Sequence, residues 1–342
     1  MPERVRRPRG GARGTLQAVT APARTGIRWD ALVTHHVEAL GGWVPLVDEL
    51  ERRLRLAGIE PPAHDAALKG LRRLTTREQG AGGQYGRWLL RCFGVPATVE
   101  EQLAFVAQYH SRFADLPTSL RRDQLRLWDR PPISESRQVA WVHVGLASVH
   151  HRRRELDLMR ERLAAARALD AGPLAAMESA LLAARVASDE GDPDQAASLM
   201  DEVAGQLEDA PAHLPYLARL QGQRAFQLTR ASDEPGRYAA ARALFEAIPA
   251  ASGVPFVDYR RTAGLAYCTW KEGDAEGAAK LARAALDHAG DGGFVRFRVM
   301  ALNLLARIVG GGEARALRRR AERLARSIED AHLTEVARIR DA

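Results

Sequence analysis

The decamer EGDPDQAASL, Glu190 to Leu199, returns 82 positions later as EGDAEGAAKL, Glu272 to Leu281. Gly191 and Gly273 stand where a helix must stop, because glycine enters the left-handed C′ conformation without a Cβ clash. Asp192 and Asp274 follow as N-caps, whose carboxylates accept the orphan N–H bonds of the next helix. Pro193 suits a first helical position, where its missing N–H costs nothing. Gln195 lies at the capping-box offset from Asp192. The small pairs Ala196–Ala197 and Ala278–Ala279 allow two helices to approach closely before Leu199 and Leu281 fill the seam. Each decamer therefore reads as the corner of a helical hairpin.

Working outward from these corners, the chain after about Ser134 divides into helix pairs. They are predicted at approximately 134–170, 173–208, 213–249, 255–289 and 293–328, with a final helix or tail after about Leu333. Met159, Leu199, Leu244, Leu281 and Leu317 take equivalent places in the second helix of each pair. In one first helix, Phe256, Tyr259, Ala263, Ala266 and Trp270 make a single stripe. The corners at Glu234–Pro235–Gly236 and Gly310–Gly312 keep only the glycine.

The G-D-x-x-x-A corners at Gly191 to Ala196 and Gly273 to Ala278 resemble those of tetratricopeptide-type repeats. The resemblance covers residues 134–328, with hairpins longer than the family period of about 34. It implies an all-α fold, a right-handed α-solenoid of about five helical hairpins, in which the first helix of each pair lines a concave groove. The polar residues expected there are Arg185, Gln223, Arg224, Arg260, Tyr267, Arg296 and Arg298. Several arginines on one concavity favour an acidic peptide or a C-terminal carboxylate through bidentate pairing.

Ahead of the repeats the composition changes. The net charge of the 342 residues is +7, and residues 1–98 hold all of it, with 16 Lys+Arg against 9 Asp+Glu. Residues 1–27 are rich in Arg, Gly, Pro and Ala without a hydrophobic period, which reads as a flexible basic arm. Four short helices follow in residues 28–98, punctuated by Gly41–Gly42, Gly58, Pro61–Pro62 and the loop Gly80 to Gly83. The third, from about Ala63 to Arg77, buries Ala67, Leu71 and Leu74 and turns Lys69, Arg72, Arg73 and Arg77 outward. The N-terminus of the fourth, behind Gly82 and Gly83, offers free N–H groups suited to a phosphate.

This order of two short helices, a basic helix, a glycine loop and an apolar helix ending LLRCFGVP resembles the helix-turn-helix domains of small bacterial repressors. The resemblance implies that Lys69, Arg72, Arg73 and Arg77 face DNA and that Gly82 and Gly83 approach a phosphate. Residues 99–133 are expected to connect this small four- to five-helix domain to the array. Thr98 with Glu101 reads there as a capping box, and Trp128 as packed in the joint.

Other classes find little support. Composition is 46% hydrophobic and 27% charged, ordinary for a globular protein. Cys92 and Cys268 are the two cysteines, too few for a disulfide framework, and read as reduced core thiols. No apolar run approaches the roughly 18–20 residues of a membrane span, and no apolar segment follows the basic N-terminus as in a secretory signal. A cytoplasmic chain without membrane attachment is expected. His143 and His150 share a helical face but lack further metal ligands nearby. No phosphate-binding lysine loop, nucleophile elbow or H-E-x-x-H occurs. The expectation is a non-enzymatic interaction protein without a cofactor. Its protein or peptide partner lies in the groove, and its basic domain is available to DNA. The alternative is a pure scaffold whose N-terminal module only caps the repeats.

Overall fold

The computed structural model describes residues 27–76, 82–108, 115–208, 213–231 and 235–338. The arm up to residue 26, Arg77, Gly80 and Glu234 lie outside the described residues. Among those described, seventeen α-helices and one 3-10 turn at Ile133–Glu135 account for the regular structure, and no strand occurs.

Helices α1 (Trp29–Leu40), α2 (Trp43–Leu56), α3 (His64–Thr75) and α4 (Gly83–Phe93) pack on one another at the N-terminal end. Gly41 closes α1 in the left-handed region at φ 83°. The Gly42 N–H then returns to the Val37 carbonyl at 2.8 Å, a Schellman closure. On α3 the stripe Ala67, Leu71 and Leu74 is buried, as its spacing requires. Trp29, fully buried, anchors this unit. Its indole lies so close to α4 that a Cβ on Gly82 or Gly86 would come within 2.3 or 2.8 Å of the ring.

Two connecting helices follow, α5 (Ala97–Ala107) and α6 (Thr118–Trp128). The expected capping box at Thr98 is not formed, because α5 begins one residue earlier. Pro96, held at φ −57° and ψ 140°, takes the N-cap position. Its carbonyl accepts the N–H groups of Val99 and Glu100, so Thr98 falls inside the first turn. At the other end, the buried Arg121 donates to the carbonyls of Val106 and Ala107, both at 3.1 Å. It thereby satisfies orphan acceptors of α5. Trp128 is buried in the joint. One apolar cluster runs from Ile27 and Trp29 through Leu103, Leu125 and Trp128 to Trp141, Leu146 and Ala175. The N-terminal unit and the start of the array thus share a core.

The remaining helices are α7 (Val139–Arg153), α8 (Leu156–Arg167), α9 (Pro173–Glu190), α10 (Pro193–Glu208), α11 (Leu214–Ala231) and α12 (Arg237–Glu246). They continue as α13 (Pro255–Lys271), α14 (Ala275–Asp291), α15 (Val295–Val309), α16 (Gly311–Ser327) and α17 (Ala331–Arg338). Each packs on its neighbour in sequence. At the two decamers Gly191 and Gly273 adopt φ 85° and 99°. The Asp192 carboxylate accepts the Gln195 N–H at 2.9 Å, and Asp274 accepts that of Gly277 at 2.8 Å. Between α12 and α13 the approach is closer still, since a Cβ on Gly264 would stand 2.2 Å from the Phe245 ring.

A second set of contacts joins every other helix: α7 to α9, α9 to α11, α11 to α13, α13 to α15 and α15 to α17. Helix α17 then lies against α7, so the six form a closed circuit. The sequence predicts a final helix or tail after about Leu333 and an inner wall exposed as a groove; the contact of α17 with α7 closes that wall instead. Closure has identifiable causes in the residues just before α17. Asp330 is fully buried, accepts the Leu333 N–H at 3.0 Å as a cap and pairs with Arg296 of α15. At the adjoining edge the Thr118 N–H donates to the Ile328 carbonyl at 3.1 Å. The Ser119 N–H donates to the Glu329 carboxylate at 2.9 Å. Arg154, beyond α7, pairs with Glu335 at 3.7 Å.

Candidate functional site

Helices α9, α11, α13, α15 and α17 surround a cavity of about 560 Å³, within the range of small-molecule sites. Its apolar wall includes Phe226, Phe245, Tyr259, Tyr267, Met300 and Leu304. Its charged wall carries Arg185, Arg230, Arg260, Arg307 and Arg318 against a single acid, Asp189, with His332 beside them. Same-face spacing brings these together. Gly222, Phe226 and Arg230 follow one another at four-residue steps on α11, and Arg260, Ala263, Gly264 and Tyr267 share one side of α13.

Asp189 is heavily engaged. It lies 3.1 Å from Arg185, 3.5 Å from His151 and 3.7 Å from Arg230. Burial raises its pKa, but the His151 hydrogen bond and the Arg185 charge overcome this and hold it at about 2. Arg185 and Arg230 also stack on Phe226, with guanidinium carbons 4.4 and 5.0 Å from the ring centroid. Arg307 lies over Trp270 at 4.8 Å.

Three successive inner helices each carry an arginine near the cavity: Arg219 on α11, Arg260 on α13 and Arg296 on α15. Arg219 pairs with Glu178 of α9 at 2.6 Å, both side chains buried. Arg296 pairs with Asp330, again in the interior. Arg260 has no carboxylate among the described residues. Its guanidinium carbon lies over the rings of Phe297 and Phe256 at 5.3 and 5.4 Å, and its Nε is buried without a hydrogen-bond partner. Burial lowers its pKa to about 10, and the charges of Arg219, Arg185 and Arg296 act in the same direction. The group stays cationic at neutral pH.

Of the seven residues expected to line a groove, Arg185, Arg260 and Tyr267 face this cavity. The other four are placed elsewhere. Gln223 donates to the Leu181 carbonyl at 2.8 Å and ties α11 to α9. Arg224 turns toward α10 and pairs with Asp201 at 2.7 Å. Arg296 is consumed by Asp330, and Arg298 is not among the lining residues. Sequence reasoning missed Arg230, Arg307, Arg318 and Asp189. The i, i+4 relation of Arg185 with Asp189 and of Phe226 with Arg230 was the signal available.

On the N-terminal unit, Lys69, Arg72 and Arg73 are all exposed along one side of α3. None of the three has an ion pair among the described residues, although Arg72 approaches Trp43 at 5.4 Å. The neighbouring α2 behaves differently. Its Arg52 and Arg53 pair with Glu49, and Arg55 pairs with Glu51. Gly83 is exposed at the start of α4, whereas Gly82, expected beside a phosphate, is buried beneath Trp29. Its lack of a side chain serves packing there.

His143 and His150 have separate partners: Arg162 lies at 3.0 Å from the first and Glu155 at 2.6 Å from the second. Among the described residues no group of three or more His, Cys, Asp or Glu side chains is arranged to hold a metal ion. No described helix is long and apolar enough to cross a membrane. Comparison of the chain with family models, curated proteins and solved structures finds no match.

Proposed function

We propose that this chain is a non-enzymatic regulator built on a tetratricopeptide-like array. Helices α7 to α16 act as about five hairpins of a solenoid that takes a protein or peptide partner on its inner side. The N-terminal unit binds duplex DNA through α3, as in a helix-turn-helix domain. The observation that carries the DNA arm is the contrast between adjacent helices. Every arginine in the run Arg52 to Arg55 has an acid, while the three cations of α3 are exposed without one among the described residues. Cations displayed in this way on one face are the electrostatic footprint of phosphate binding.

The test is titration of the full chain with a short duplex of random sequence over a salt series, read by fluorescence anisotropy. Three phosphate contacts predict a log K against log salt slope of about −3, at about −0.9 per contact. The double variant Arg72→Glu/Arg73→Glu should flatten that slope by about two thirds. A weak, salt-insensitive response from the parent chain would contradict DNA binding and leave the scaffold reading. That second reading has its own support, because the N-terminal unit shares one apolar core with α5, α6 and α7, as a capping module would.

A further inference from the structure

The array's inner face is organised by charge as well as by shape. Glu178 answers Arg219, and Asp330 answers Arg296, each pair closed between neighbouring inner helices. Arg260, on the helix between theirs and less buried than either, has no acid among the described residues. It is half-buried; its Nε is buried without a hydrogen-bond partner, its face is turned to the cavity, and the aromatic rings beneath it supply only part of what an anion would. Space has been kept in front of it. Gly222 of α11 faces Arg260, and a Cβ there would lie 3.9 Å from Nη1, so the absent side chain helps to keep the cavity open. The rest of the cavity wall beside it is aromatic and aliphatic, including Phe226, Phe245, Met300 and Leu304.

From this arrangement we infer that the cavity binds a carboxylate carried on an apolar body, with Arg260 as its anchor. The carboxylate takes the place that Glu178 and Asp330 hold beside the flanking arginines, and the fork of the guanidinium suits it bidentately. The apolar body lies against the rings and Leu304. Arg260 is the cavity arginine whose Nε is buried without a partner, and one guanidinium suits one anionic group. Arg185 and Arg230 are already shared with Asp189, which argues against a polyphosphate. The volume accommodates a compact organic acid or the last few residues of a peptide with a free C-terminus. The inference rests on the reading that the inner side of the array takes a partner, and it specifies the chemistry of that partner.

The experiment is calorimetric titration of the full chain with 4-phenylbutyrate and decanoate, each against its uncharged amide. The tripeptide Leu-Leu-Phe with a free or amidated C-terminus forms the second arm. At least one anion should bind at least tenfold more tightly than its amide, and which arm responds identifies the source of the carboxylate. Arg260→Leu and the milder Arg260→Gln should both lose that preference while unfolding cooperatively at a temperature no lower than the parent. The stability readout separates a ligand anchor from a structural residue, whose removal would lower it. The proposal is overturned if no anion binds at millimolar concentration or if acids and amides bind alike. Retention of the acid preference by the variants, or a marked loss of stability in both, overturns it equally. No DNA enters this assay, so its failure and that of the DNA reading are told apart.

Discussion

Glu178 and Arg260 differ in how their charges are answered. Glu178 is almost fully buried and its charge is answered by Arg219 at 2.6 Å. Removing one member of such a pair strands the other in a poorly solvated place. Glu178→Ala should therefore cost about 3–5 kcal/mol, measured as a shift of the urea-unfolding free energy. A loss below about 1 kcal/mol, the size expected of an exposed pair, would show that Arg219 finds solvent or another acid. Arg260 is half-buried and truncating it leaves no described acid without its partner, so stability there is expected to be unchanged or raised. Both residues lie inside helices of ordinary pattern, and nothing local distinguishes them. The difference arises because the acid for Arg219 comes from the preceding inner helix, while no described residue supplies one for Arg260.

Helices and their ends were the most legible part of the chain. The stripe Ala67, Leu71 and Leu74 fixed the buried side of α3 and so the outward turn of Lys69, Arg72 and Arg73, because a 3.6-residue period leaves one arrangement. The glycine–aspartate corners were legible for the same local reason. Nothing local shows where a helix docks at long range. Arg296 reads as an available groove residue because its acid, Asp330, lies 34 residues on in sequence, at the cap of a helix whose placement depends on the whole circuit. Thr98 misled because the proline two residues before it opens the helix first.

The seam at α17 carries a pH dependence. Burial lowers the pKa of His332 to about 4, and the charges of Arg296 and His151 push the same way against Asp330. In the detached helix His332 returns toward 6.5. As pH falls below that value the detached state takes up the proton first, so stability present above it is lost toward pH 4. Hydrogen exchange, corrected for the intrinsic rate, should show α17 losing more protection than α13 between neutral pH and about pH 5. His332→Leu should abolish the difference. Equal changes in the two helices would mean that His332 does not report on docking.

Taken whole, the molecule joins a small basic unit to a run of helices whose last member returns to its first. The shared core from Ile27 to Ala175 connects the basic N-terminal unit to α7, and α7 in turn holds α17. Anything that changes the fit of α17 therefore acts on a helix packed against the N-terminal core. His332 and Leu333 of α17 also line the cavity. This chain of contacts, the cavity and the altered role of Arg296 all depend on closure of the inner circuit. Closure is tested most directly by the distance between spin labels at Arg154→Cys and Glu335→Cys, in a chain whose native thiols are replaced by Cys92→Ser and Cys268→Ala. The ion pair seen at 3.7 Å between these positions predicts one short, narrow distance. A broad distribution, or one centred at the width of an open array, would contradict the closed circuit.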